Sequence, residues 1–206
     1  MNAREAILSR VNKSLAALPR RVPLPDWDDE LIHMRDQRGE IDTLALFSQR
    51  FAALKGIIHA SPSALADWLV TNNRTHGYCD PVLLQALPGL PESTLTIETT
   101  FDPTRVDDYD FGITLASGAI AETGTLIFDD RQTSRRLAAL APWVHIAALD
   151  RTTIHPDLEA AVRALDSDPN IIFCTGPSKT ADVEGILIEG VHGPGIQHAI
   201  LLPDNP

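Results

Sequence analysis

Apolar residues recur at helical spacing through the first third of the chain, then change to short runs after about residue 94. Ile7, Leu8, Val11, Leu15 and Leu18 lie three or four residues apart, and Pro19 stops the pattern, which predicts an amphipathic first helix. A second helix is predicted over 40–55, with Leu44, Phe47, Phe51 and Leu54 on one face. Ser61-Pro62 predicts the start of a third helix, with Leu65, Trp68 and Leu69 inward. Serine there can accept from the free N–H groups, and proline is tolerated in the first turn. Between the first two helices, Pro23-Leu24-Pro25-Asp26-Trp27-Asp28-Asp29 reads as an extended connector.

The later runs predict strands over 94–98, 111–116, 125–128, 144–149, 170–174, 186–189 and 199–202. Helical patterns over 132–140 and 156–165 separate some of them. Strands joined through helices imply crossovers, hence an α/β fold with a mostly parallel, Rossmann-like sheet and a helical N-terminal region. The expected organisation is 1–39 as helix and Pro/Asp-rich connector, and 40–206 as the α/β domain. In such sheets ligands bind where loops follow the carboxyl ends of strands.

Composition narrows the function classes. With 206 residues the chain can bury a sizeable core, and its formal charge of −11 disfavours nucleic acid or an anionic membrane as partner. No apolar run approaches a membrane span, and residues 1–5 do not resemble a secretory leader, so a cytoplasmic protein is expected. Cys79 and Cys174 are the two cysteines, without C-x-x-C spacing. They cannot supply the usual four thiolates of an iron–sulfur cluster. No metal is expected, because His145, His155 and His198 lack ligand spacing, and no cofactor fingerprint is present.

Three glycine-containing turns carry candidate chemistry. In Ser117-Gly118-Ala119-Ile120-Ala121-Glu122-Thr123-Gly124-Thr125 a single carboxylate stands among small residues. Glu122 reads as a nucleophile, a base or a ligand for a substrate hydroxyl, with Thr123 and Gly124 beside it; the competing reading is a solvated turn. Thr175-Gly176-Pro177-Ser178-Lys179-Thr180-Ala181-Asp182 reads as the capped start of a short helix. Free N–H groups with Ser178, Lys179, Thr180 and Asp182 could hold a small anionic metabolite, or simply cap the helix. The Walker pattern fails, since Phe173 and Ser178 stand where glycines are needed. In Gly190-Val191-His192-Gly193-Pro194-Gly195 the turn presents His192, beside Gly193, either as a catalytic group or as a hydrogen-bonded structural one. Arg131, Arg135 and Arg136 open the helix after Glu122 and could face an anion or solvent.

Taken in order, Ala121-Glu122-Thr123-Gly124-Thr125, the run from Arg136-Leu137 through Pro142 to His145, Thr175 to Gly185, and Gly190-Val191-His192-Gly193-Pro194 resemble the LUD-domain family from about residue 40 onward. The resemblance implies a fold of the ribose-5-phosphate isomerase, glucosamine-6-phosphate deaminase and coenzyme A transferase type. It implies a role in oxidising L-lactate to pyruvate beside two iron–sulfur lactate utilization proteins. Without redox ligands of its own, the chain would then be a non-redox accessory subunit. The alternative is a stand-alone transferase or isomerase-like enzyme acting on an acyl thioester or sugar phosphate through Glu122, so the residues alone leave open whether the chain is an enzyme. The family often carries a basic residue after the His-Gly-Pro turn, where this chain has Gly195. The amphipathic first helix could pack on a second copy, giving a homo-oligomer.

Overall fold

The computed structural model describes residues 2–16, 42–90, 94–129, 136–165, 170–181 and 186–203. The Pro/Asp connector, Arg131, Arg135 and Asp182 lie outside the described residues. The chain divides into two compact units, Met1–Glu40 and Ile41–Pro206. In the first, helix α1 (Ala3–Ala16) is closed by a reciprocal cap: Glu5 N–H donates to Asn2 Oδ1 at 2.8 Å, and Asn2 N–H donates to Glu5 Oε2 at 2.9 Å. That pairing satisfies two donors that the first helical turn leaves free.

The second unit is built on a six-stranded sheet whose neighbours are all parallel. Its strands, in spatial order, are β1 (Ile57–His59), β12 (Ile196–Leu201), β7 (Val144–Leu149), β4 (Phe111–Leu115), β2 (His76–Cys79) and β3 (Thr96–Glu98). Every residue of β7 is buried, as expected for a strand covered on both faces. One face packs on α3 (Pro62–Thr71) and α4 (Pro81–Ala86), through Leu65, Leu69, Leu83 and Leu87. Ser61 caps α3 as expected, accepting from Ala64 N–H, and Pro62 occupies its first turn.

The opposite face meets a second sheet through Ala147, Leu149 and Ala199. That sheet runs β8 (Ile154–His155), β5 (Gly118–Ile120), β6 (Thr125–Phe128) and β9 (Ile172–Cys174). Its β6 is antiparallel to both β5 and β9. Phe47 and Phe51 of α2 (Thr43–Ala53) stack at 5.2 Å and join the core between the sheets. Helix α5 (Arg136–Leu140) lies against β4 and β7, and α6 (Leu158–Ala164) covers the outer side of the second sheet through Ala161. Strands β10 (Lys179–Ala181) and β11 (Leu187–Glu189) form a separate antiparallel hairpin.

The α/β fold with a mostly parallel sheet is as the sequence predicts. One local expectation is corrected: Lys179 to Ala181 is a strand, not the start of a capped helix. Pairing with Leu187–Glu189 overrides the local capping pattern of Gly-Pro-Ser. Among the described residues, no helix is long and apolar enough to cross a membrane.

Candidate functional site

A cleft of about 320 Å³ opens between the two sheets. Its walls come from α5 (Ala139, Leu140), β9 and the turn after it (Cys174, Thr175, Ser178), the turn before β12 (His192, Gly193), and two side chains of the main sheet, His145 and Gln197. His145 is the second residue of β7 and Gln197 the second of β12, and they face each other in register. The cleft therefore lies at the amino ends of the central parallel strands. Loops at the carboxyl ends were expected to hold the ligand, but β9 belongs to the antiparallel second sheet and delivers Thr175 to Ser178 to the other edge.

His145 has no exposed surface, and Gln197 is only 3% exposed. Thr114 Oγ1 lies 2.9 Å from His145 Nε2, and Phe128 packs edge-on against the imidazole. Burial holds the His145 pKa down at about 3, so the ring is neutral at physiological pH. The other ring nitrogen, Nδ1, and the Gln197 Oε1 are buried without a partner. Each unmet buried group of this kind costs about 1–3 kcal/mol, so a polar ligand bonding to both would offset that cost.

Among the described residues, the lining contains no lysine, arginine or carboxylate. An anion entering the cleft meets hydroxyls and amide dipoles instead of a fixed positive charge. Cys174 is present as a thiol, because burial pushes its pKa up to about 11. His192 and Gly193 also border a shallower depression of about 530 Å³ that includes Arg74, Tyr109 and Trp143. Arg74 there faces Asp110 at 3.6 Å. At the carboxyl ends of β1 and β12, a further cleft of about 450 Å³ is lined by His59, Ser61 and Arg151, among others. Its His59 is already held, 2.8 Å from His198 Nδ1.

Of the residues singled out in the sequence, Ser178, His192 and Gly193 converge on the first cleft. Backbone bonds lock their turns together: Ser178 N–H donates to Pro194 O, and Gly190 N–H donates to Ser178 O, both at 2.9 Å. Lys179 and Thr180 lie in β10, outside the lining, and Lys179 is directed to Glu189 at 3.7 Å. Arg136 is exposed at the start of α5. Glu122, Thr123 and Gly124 form the β5–β6 turn and do not line the cleft. Gly124 has φ +66°, and a Cβ there would sit 2.7 Å from the Phe51 backbone nitrogen, so this glycine is needed for packing on α2. A chain of hydroxyls links the turn to the cleft: Thr123 Oγ1 is 2.7 Å from Thr125 Oγ1, which is 2.8 Å from Thr175 Oγ1.

Gly195 also has a local reason. A Cβ at that position would lie 2.5 Å from the Trp143 ring. The indole therefore occupies the space that a basic side chain at 195 would need. Sequence reasoning missed His145 and Gln197, although each is a polar residue near the start of a largely apolar, buried strand. That pattern was the available signal, since a polar group in such a strand must find a partner.

Residues 103–202 match the family model of the LUD domain. The chain is 29% identical to lactate utilization protein C of Exiguobacterium sp., over 79% of this chain and 67% of that protein. It is 28% identical to lactate utilization protein C of Deinococcus radiodurans, over 93% of this chain and 92% of that one. Against the protein of that name from Halalkalibacterium halodurans it is 34% identical, over 44% and 43% of the two chains. The crystal structure of a DUF162 family protein from Deinococcus radiodurans shares the fold, with a TM-score of 0.55 at 24% identity, covering 79% of this chain and 97% of that chain. All the residues that line the cleft fall inside the matched segment. The segment spanning residues 103–202 thus matches the LUD domain.

Proposed function

We propose that this chain serves lactate utilization, as the non-redox accessory subunit of an iron–sulfur-dependent system that oxidises L-lactate to pyruvate in the cytoplasm. The observation that carries the reading is the similarity to lactate utilization protein C of Deinococcus radiodurans along 93% of this chain. The chemistry supports the division of labour. Taking lactate to pyruvate removes two electrons and two protons, so a carrier must accept the electrons. The chain has two cysteines, too few for a cluster of its own. Burial keeps both as thiols, with the Cys79 pKa pushed up to about 12 and that of Cys174 to about 11. Two iron–sulfur partners would supply the redox centres, and this chain the small-molecule cleft.

Reading the chain as a transferase or isomerase acting through Glu122 has less support, because that carboxylate stands outside the cleft lining. Deleting the gene tests the proposal. Growth on L-lactate should be lost, growth on pyruvate kept, and the protein pulled down from lactate-grown cells should bring iron with it. Undiminished lactate growth in a strain with no other lactate dehydrogenase would overturn it.

A further inference from the structure

The two unpartnered atoms in the cleft define a ligand by their hydrogen-bonding sense. The sense of the 2.9 Å bond between Thr114 Oγ1 and His145 Nε2 depends on the imidazole tautomer, and we take the hydroxyl as the donor. A neutral imidazole carries one proton, so Nδ1 then bears it and donates. Gln197 Oε1 accepts only. The register sets these two side chains side by side on adjacent strands, with both atoms buried and free of protein partners. One donor next to one acceptor matches a single hydroxyl, which can accept from the first and donate to the second. A keto oxygen could satisfy only the imidazole, and a methylene neither.

We propose that the cleft is a binding site for a short 2-hydroxycarboxylate, its hydroxyl held between His145 Nδ1 and Gln197 Oε1 and its carboxylate at the mouth beside Ser178 and His192. The hydroxyl follows from the two buried atoms; the acid rests on the lactate reading above. Apolar lining from Ala139, Leu140 and Ile172 suits a small alkyl group. The site distinguishes the alcohol from the ketone made by its oxidation. It holds the reduced substrate and releases the product, as a subunit presenting lactate to an external electron acceptor must.

Calorimetry on the full chain with L-lactate, pyruvate and propionate tests this. L-lactate should bind about tenfold more tightly than pyruvate, and propionate more weakly still, because each leaves buried groups unpaired. In Gln197→Met, which keeps the length and removes the acceptor, the preference for lactate over propionate should largely disappear. Should that variant fail to fold, the wild-type protein labelled with ¹⁵N in its histidines gives the answer. The His145 Nδ1–H resonance should shift on adding L-lactate and stay in place with propionate. No heat from L-lactate at millimolar concentration would mean that ordered water satisfies both atoms, and would overturn the site. So would binding that leaves the His145 resonance unmoved. A deletion strain that cannot use lactate, together with a protein that does not bind it, would reject the site and keep the role. Binding together with normal lactate growth would do the reverse.

Discussion

Acidification from pH 7 to pH 4.5 is expected to remove about 5 kcal/mol of folding stability through two buried histidines alone. His145 and His198 are both fully buried, and their pKa values are held at about 3, against 6.5 for a free imidazole. Burial is the main cause for each; the nearby His59 and His145 rings lower His198 further. The sign follows from proton counting. Below pH 6.5 the unfolded chain takes up a proton on each ring, while the folded chain does not until about pH 3. Stability is therefore intact above pH 6.5 and falls between 6.5 and 3, by about 1.4 kcal/mol per pH unit for each histidine. A domain with about 5–15 kcal/mol to lose approaches unfolding across this window. Urea titrations at pH 7, 6 and 5 should show the decline, and His145→Phe should reduce its slope by about half. A stability that stays level down to pH 5 would show that these rings titrate normally. The same burial keeps His145 neutral, which leaves its single proton free to define the donor in the cleft.

Gly112→Ala is expected to destabilise the protein by about 3 kcal/mol and to spoil the cleft at the same time. Gly112 lies in β4 directly beside His145 in register. A Cβ at this position would be driven into the Ala138 carbonyl oxygen and lie 3.3 Å from Pro142 Cγ. The obstacle is backbone, so α5 must move away from the sheet. That helix carries Ala139 and Leu140, which wall the cleft. At about 2–4 °C per kcal/mol for a chain of this size, the midpoint of thermal unfolding should fall by roughly 6–12 °C. Circular dichroism melts check this. A midpoint within 2 °C of wild type would show that α5 is not seated on Gly112 as the structure has it.

The periodic elements were legible in the sequence. The runs that became β6 and β7 and the Ser61-Pro62 start of α3 carry their signals locally, in apolar runs and a capping pair. Strand β2 does not. His76-Gly77-Tyr78-Cys79 shows neither alternation nor an apolar run, and is a strand because β3 and β4 flank it. Strand β5, Gly118 to Ile120, is made of small residues that the second sheet presses into place. Strand β10 has the local look of a helix start, and only its partner Leu187–Glu189 decides otherwise. The site divides in the same way. Ser178, His192 and Gly193 sit in turns whose glycine and proline mark them in the chain. His145 and Gln197 become a pair only through strand register, and their unmet hydrogen bonds appear only once both are buried. Glu122 looked conspicuous among small residues, yet the small residues around it meet α2 and the second sheet.

Genetic complementation shows whether the His145–Gln197 cleft carries the part proposed for this protein in lactate utilization. The deletion strain should regain growth on L-lactate with the wild-type gene. With Gln197→Met, made at the same level and melting near the wild-type temperature, it should fail on L-lactate and still grow on pyruvate. Wild-type growth on L-lactate with both Gln197→Met and His145→Phe would show that the cleft has no part in it.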